Sequence, residues 1–415
     1  MIKDISFYIQ ILGSAAMPFK NPLRSIIGLL AIVMFCKCTK NAEIPNIPTI
    51  TISPDYINNP SETYDSLFKS VSYNPLETGK EFLISKISQL HITDSDIFIL
   101  DEVQSQLFRF SAEGKFKNRI GRKGKGPGEY LNPTYFFVDE NQKKIKICDR
   151  RQKKIIIYDF AGKYIKELCT SLYFDVFFND VNEGYWAFID DYGNSINESE
   201  KLNFIKIDSI GKSCDQILGI EKYNTQISNF SHISNHKIGN SVSFVLPFKN
   251  NIYSFNCVDS VSIRYHLDFQ NTTIPENELL RISGSTSANA AKNQKIAAEL
   301  MKEYAIGYFG YIEIDDWIYF GYSYKKNGCG VFYNKNRKFT YDFTKVPYDK
   351  NGWGTLFPLL FGKGSTFYAA SDPYIFKTQL EKSQHLYTKE RLESMSNLLN
   401  DIKVESNPII IKYEL

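Results

Sequence analysis

The chain of 415 residues is poor in histidine, with five, and in cysteine, with seven, and its longest apolar run is too short to cross a bilayer as a helix. Each scarcity excludes something. His91, His232, His236, His266 and His385 are too scattered to write H-x-H or H-E-x-x-H, and the four-residue step from His232 to His236 falls where there is little helical pattern, so no metal centre is signalled. Apart from Cys36 and Cys38, the cysteines are Cys148, Cys169, Cys214, Cys257 and Cys329. They are odd in number, widely spaced and without C-x-x-C, so neither a zinc site nor a disulfide framework is expected, and buried free thiols are. Charge of one sign is lacking too: 49 basic against 46 acidic side chains leaves +3, which implies no nucleic-acid partner. No G-x-S-x-G nucleophile elbow occurs.

What is present is aromatic. Phe, Tyr and Trp make up 15% of the chain, with 27 Tyr and 31 Phe, and hydrophobic residues 43%, a composition that suits half-buried strands and excludes disorder. At the N-terminus Lys20 and Arg24 precede the apolar run SIIGLLAIVMF, the layout of an export signal, with Met17 a candidate start. Cys36 and Cys38 follow as candidate lipid-attachment residues, although Phe35 and Lys37 stand where a lipoprotein signal has a small residue. The reading divides the chain into a signal region, 1–38, a tether and lead-in, 39–69, and a repeat domain, 70–415.

The repeat shows when the sequence is slid on itself by 48 residues. IFILDEVQSQLFRFSAEGKF then lies on IKICDRRQKKIIIYDFAGKY without a gap, matching Asp101 with Asp149, Gln104 with Gln152 and Gly114-Lys115 with Gly162-Lys163. Each copy is a strand, a polar turn, a second strand and a Gly-Lys hairpin turn. FIKIDSIGKS, which carries Gly211-Lys212, is a weaker third copy. Later units keep the strand pairs without the glycine signature: Asn250 to Phe269 reads as two strands, Ile312 to Phe343 as three, and a unit beginning near Phe357 is completed by the terminal NPIIIKYEL. About six such units must stack to bury their faces, and a ring leaves fewest open edges. The expectation is an all-β, six-bladed β-propeller with short helical insertions at Asn289–Ala305 and Lys389–Ile402, the terminal strand closing the ring. Asp101 and Asp149 are placed at the end of an inner strand, anchoring the turn that follows.

From GRKGKGPGEY (Gly121–Tyr130), from IYSFNCVDSVSIRYHLDF and from Asn407-Pro408 before an apolar strand, the chain resembles the six-bladed β-propeller lipoproteins abundant in Bacteroidota, related in architecture to NHL-type propellers. The resemblance covers roughly Ser70 to Leu415. It implies an exported, lipid-anchored propeller and no established chemistry.

GRKGKGPG is no phosphate loop, since Pro127 follows Gly126 where the lysine should stand. Its structural reading is a turn between the outer strand of one blade and the first strand of the next, with Glu129 bonded to nearby backbone or to Arg122. Its functional reading makes Arg122, Lys123 and Lys125 a rim that attracts carboxylates or uronic sugars. Trp353, in a glycine-flanked loop, is the aromatic candidate for a ligand, while Tyr185, Trp186, Trp317, Tyr319, Tyr322 and Tyr324 are expected in the core. The reading is a binding or interaction module at the cell envelope, periplasmic or on the outer membrane. It leans away from an enzyme, with no cofactor, no nucleic acid, the membrane reached by the lipid anchor only, and a glycan, peptide or envelope protein as partner. The rival is a calcium-dependent propeller hydrolase or lactonase, which would need several oxygen side chains at one point of the channel.

Overall fold

The computed structural model describes residues 47–54, 67–174, 176–179, 184–188, 202–218, 234–238, 241–246, 249–256, 258, 260–275, 277–278, 295–296, 298–325, 327–343, 359–383, 389–400 and 402–415. In chain order, β1 (Thr49–Thr51) and β2 (Ser70–Pro75) precede the first complete blade, β3 (Gln89–Ile92), β4 (Asp96–Asp101), β5 (Gln106–Ser111) and β6 (Phe116–Arg119). Blade 2 is β7 (Pro133–Asp139), β8 (Lys144–Asp149), β9 (Lys154–Asp159) and β10 (Tyr164–Cys169). Blade 3 is β11 (Val176–Asn179), β12 (Tyr185–Phe188), β13 (Leu202–Ile207) and β14 (Ser213–Leu218), and blade 4 is β15 (Ser234–Ile238), β16 (Ser241–Val245), β17 (Asn251–Phe255) and β18 (Val261–Asp268). Blade 5 is β19 (Ile306–Ile314), β20 (Trp317–Tyr324), β21 (Asn327–Asn334) and β22 (Phe339–Phe343), and blade 6 begins with β23 (Leu359–Lys363) and β24 (Thr366–Ser371). After α1 (Pro373–Ser383) and α2 (Lys389–Asn400), β25 (Ile409–Glu414) completes it.

Each blade is an antiparallel meander, and the first strands of neighbouring blades contact one another around the axis. Six units are therefore six blades. Blade 6 is assembled from both halves of the chain: β25 lies between β24 and β2, as the closure expectation required. One apolar cluster fills each interface, for example Phe98, Leu100 and Leu107 of blade 1 against Phe136, Val138 and Ile147 of blade 2. The same arrangement recurs between blades 2 and 3, 3 and 4, 4 and 5, 5 and 6, and 6 and 1. The strands alternate sides, so each blade feeds two clusters, and the core is a ring of seams rather than one centre.

The Gly-Lys hairpins are real repeats. Gly114, Gly162 and Gly211 have φ of 81°, 83° and 93°, and a Cβ on Gly114 or Gly162 would lie 2.6 Å from the Pro75 carbonyl or 2.5 Å from the Arg119 carbonyl at the end of the preceding blade's outer strand. Glycine is demanded twice over, by the left-handed turn and by the close approach of a neighbouring blade.

Several expectations need correction. Asp101 and Asp149 end the second strands of their blades, not the inner ones, because β3 and β7 pair on the axial side. Ile312–Phe343 spans four strands with three turns, one more of each than expected, and the tight turn at Lys325 is left-handed at φ 49°. Within the stretch read as tether, β1 adds a fifth strand to blade 4, parallel to β18, and buries Ile50 and Ile52. Cys148 and Cys329 are buried thiols, but Cys169 is exposed on β10. Helix α1 was not anticipated, although Asp372 caps it by accepting from the Tyr374 N–H at 2.8 Å and Pro373 opens its first turn. Met395, Leu392, Leu399 and Ile402 of the second expected helix pack with Phe376 and Leu380 of α1 on blade 6. Edge-on contact of Phe376 with Tyr73 of β2 places α1 against the outer strand of that blade. Of the other expected helix, the described residues Ile296, Leu300 and Tyr304 share one cluster.

Candidate functional site

The Gly121–Tyr130 loop lies between β6, the outer strand of blade 1, and β7, the first strand of blade 2. It folds back on itself as a small hairpin-like loop closed by one parallel bridge, Lys123 beside Tyr130: the Gly124 N–H donates to the Tyr130 carbonyl at 2.9 Å and the Tyr130 N–H to the Arg122 carbonyl at 3.1 Å. Glu129 turns its carboxylate back into the hairpin. Its Oε2 accepts from the Gly126 N–H at 2.8 Å and its Oε1 from Arg122 Nε at 2.6 Å. A Cβ on Gly124 would collide with that carboxylate, so a side chain there would push the Glu129 carboxylate out of its place. The bond from Gly126 first, and Arg122 second, hold the Glu129 carboxyl below its ordinary range.

Blade 2 grips the loop from beneath. Gln152 Nε2 donates to the Glu129 carbonyl at 3.0 Å and the Gly124 carbonyl at 3.3 Å, and the Tyr158 hydroxyl donates to the Gly128 carbonyl at 2.8 Å. Gln152 is held in turn by Asp149, whose carboxylate accepts from the N–H groups of Leu131 at 2.6 Å, Asn132 at 3.2 Å and Gln152 at 3.1 Å. Asp101 does the same work in blade 1, accepting from the N–H groups of Ser85 and Gln104 at 2.6 and 3.0 Å. Four residues beyond each aspartate stands a left-handed residue, Ser105 at φ 54° and Lys153 at φ 55°. The sequence match of Asp and Gln is thus a repeated staple joining two loops at the same end of a blade, with the aspartate anchoring its turn as expected.

Of the candidate binding residues, Arg122, Lys123 and Lys125 are all exposed on this hairpin. Trp353 lies outside the described residues, as do Cys36, Cys38 and the signal region. Sequence reading missed the holding role of Gln152, and missed Arg151, which is exposed on the adjoining turn, and Tyr164, which is 38% exposed and lies where a Gly128 side chain would go. The aromatic residues expected in the core are there, with Trp317 half-buried.

Two further carboxylates are buried, both at blade seams. Asp96 accepts from Arg109 Nε at 2.8 Å and Lys117 Nζ at 2.7 Å, while Arg109 Nη1 reaches the Phe160 carbonyl of blade 2 at 2.8 Å. Burial alone would raise the Asp96 carboxyl, but the bonds from Arg109, Lys117 and Ser95 outweigh it and lower it to about 2. Glu313 of blade 5 accepts both Nη atoms of Arg264 of blade 4 at 2.7 Å, Lys335 Nζ at 2.9 Å and the Tyr311 hydroxyl at 2.7 Å. Burial, then the neighbouring Glu313 charge, push the Tyr311 hydroxyl far up. Where the inner strands β3, β7 and β23 end, Lys363 Nζ lies 2.8 Å from Asp94 and 3.5 Å from Glu140, and His91 Nε2 lies 3.4 Å from Glu140. Among the described residues no three His, Cys, Asp or Glu side chains gather as a metal site, and no helix is long and apolar enough to cross a membrane.

Six four-stranded meanders around an axis, closed by a blade built from both chain halves, define a six-bladed β-propeller. Within that class the chain belongs to the DUF5128 family, described as 6-bladed beta-propeller, whose profile matches residues 40–368. No functionally curated protein matches it. Among solved structures, a candidate exported protein from Bacteroides fragilis aligns with a TM-score of 0.72 at 21% identity, over 88% of this chain and 99% of that one. A DUF4221 family member from Bacteroides vulgatus aligns with a TM-score of 0.51 at 9% identity, over 84% of this chain and 96% of that one. At these identities the likeness is one of fold.

Proposed function

We propose that the protein is an exported propeller, held at the cell envelope by a lipid on Cys36 or Cys38, that works as a binding module and not as an enzyme. The observation that carries this is the fate of the buried carboxylates. Asp96, Asp101, Asp149 and Glu313 are the buried acids among the described residues, and each is committed to backbone amides or basic side chains of its own and adjoining blades. Carboxylates saturated in this way hold the ring together and have no lone pairs left to gather a calcium ion or activate water. The calcium-dependent hydrolase therefore has no support among these groups. What the loops offer outward is basic side chains on a stapled hairpin, a surface for recognition.

The basic-then-apolar N-terminal segment supports export, as does the description of the Bacteroides fragilis structure. Glycans, peptides and envelope proteins are the partner classes. The test is twofold. Palmitate labelling should disappear on Cys36→Ala or on Cys38→Ala; labelling of neither form, in either variant or wild type, sinks the anchor. Purified protein on glycan and peptide arrays should retain a ligand, and silence on both, with full hydrolase activity on a lactone panel, would reverse the assignment.

A further inference from the structure

The Gly121–Tyr130 hairpin holds an anion that belongs to the protein itself. The Glu129 carboxylate packs against Gly124, where a Cβ would displace it, and is ligated by the Gly126 N–H and Arg122 Nε. Only one charge is thereby neutralised. Arg122 is 80% exposed with its Nη atoms unclaimed among the described residues, Lys123 and Lys125 are exposed beside it, and exposed Arg151 stands on the turn that Gln152 staples to the loop. The other nearby acid, Glu167, is occupied by Lys154 Nζ at 3.1 Å and by the Gly128 N–H at 3.3 Å.

We infer that this hairpin is a carboxylate site for an acidic glycan, a uronate chain, in which Glu129 is a displaceable internal occupant. The inference rests on the binding-module reading and assigns its ligand class. Two features select it. The donor set of a backbone N–H and a guanidinium is matched to a planar carboxylate, as Glu129 demonstrates by sitting there. Tyr164, packed against Gly128 and partly exposed, gives an aromatic face beside the basic rim, the pairing that suits a charged sugar ring with one apolar side. Glu129 is tethered by a flexible side chain, so an incoming carboxylate exchanges with it rather than opening a new cavity, and its departure leaves a hairpin whose main-chain bonds are intact. The internal carboxylate sets a threshold: a single uronate competes poorly, whereas a chain that also engages Lys123, Lys125 and Arg151 wins by multiple contacts.

The test measures binding of the full propeller to an oligogalacturonate, to its methyl ester and to an oligoglutamate, with wild type, Glu129→Gln, Arg122→Ser and Tyr164→Ala. The acid form is expected to bind about tenfold or more tightly than the ester, with affinity falling as salt rises. Glu129→Gln, nearly isosteric but uncharged, should tighten it by about tenfold, and Arg122→Ser should weaken it by a similar factor. Tyr164→Ala should lower affinity for the sugar and leave that for oligoglutamate unchanged. Arg122→Ser and Tyr164→Ala lie on exposed side chains, so they decide the matter even if Glu129→Gln does not fold. Equal binding of acid and ester, or oligoglutamate bound as well as oligogalacturonate, overturns the glycan assignment. Unchanged affinity in Glu129→Gln, with loss in Arg122→Ser, overturns the displaceable occupant alone. If the arrays reveal a ligand to which all these variants are indifferent, the binding-module reading stands and this site falls.

Discussion

In blades 1 and 2 the turn after the second strand is bolted to the incoming loop by a buried aspartate and a glutamine, and the outer hairpin turns on a left-handed glycine. In blade 5 the same turn is made at Lys325, with β20 and β21 in unbroken register from Trp317 opposite Asn334 to Tyr324 opposite Asn327. Blade 6 replaces that turn with α1 and α2. One architecture is thus stabilised in two ways. Local polar staples, with the buried Asp96 ion cluster beside them, hold the first blades, whereas the last blades depend on long strands, aromatic packing and the Glu313 cluster between blades 4 and 5. The difference teaches where mutations should hurt: locally and moderately in blades 1 and 2, globally in blades 5 and 6.

The largest effect should follow from removing residues 408–415. That strand is central in blade 6 and buries Ile409, Ile410, Ile411 and Tyr413, each worth roughly 1.5–3 kcal/mol, so its loss is comparable with the whole net stability of an ordinary domain. No cooperative thermal transition is expected by circular dichroism. A truncated protein that melts within a few degrees of the full chain would break the comparison at its strongest point.

Next come single carboxylates. Glu313→Ala strips a buried acceptor from Arg264, Lys335 and Tyr311 and should cost about 3–5 kcal/mol in denaturant unfolding. Asp149→Ala or Asp101→Ala removes a staple and leaves backbone N–H groups unpaired, at about 1–3 kcal/mol. A reversed order would mean that the local staples, not the seam between blades 4 and 5, carry the ring.

A pH series separates the two regions more finely. Asp96 has its carboxyl lowered in the folded state from 3.8 to about 2, so it binds protons less readily there than in the unfolded chain. Its contribution is therefore complete above 3.8 and is lost as the pH falls toward about 2. Denaturant midpoints of wild type should drop through that window, and Asp96→Asn should be less stable near neutrality with a flatter acid limb. Parallel acid limbs would show that Asp96 is not the group responsible.

These regions also differed in how far the sequence disclosed them. The staples were legible because Asp101 and Asp149, Gln104 and Gln152, and the Gly-Lys turns recur at fixed spacing, and a turn's requirements are local. Even so, their strands were misplaced by one, since nothing in a short alternating run says which strand faces the axis. The Glu313 cluster left no mark: its partners lie on β18 and beyond β21, and a glutamate in a strand reads as solvent-facing until the fold brings Arg264 to it. Helix α1 was announced by Asp372-Pro373 but overshadowed by the strand pattern before it. At the candidate site, the pairing of Glu129 with Arg122 was readable from neighbouring residues, whereas Gln152, Arg151 and Tyr164 arrive from the next hairpins.

The smallest effects test the opening loop, where glycines and charges share eight residues. Gly128 follows Pro127 with φ of 67°, and a Cβ there would lie 2.6 Å from the Tyr164 ring, so a β-branched residue meets both backbone strain and a clash. Gly128→Val should cost about 1–3 kcal/mol. Gly126 has no such φ, and a Cβ there would be 3.1 Å from Oε2 of Glu129, a side chain free to swing aside, so Gly126→Val should cost less than Gly128→Val. Changing Arg122, Lys123 and Lys125 together to Ser should move stability by no more than about 1 kcal/mol, because exposed charges contribute little to folding. The expected ranking in denaturant midpoint is thus Gly128→Val lowest, then Gly126→Val, then the triple variant near wild type. A triple variant less stable than Gly128→Val would mean that the cations brace the junction between blades 1 and 2. Stability near wild type in that variant, together with lost binding of an acidic glycan, would leave recognition as the reason for three basic side chains on a loop that glycine and Glu129 already hold in shape.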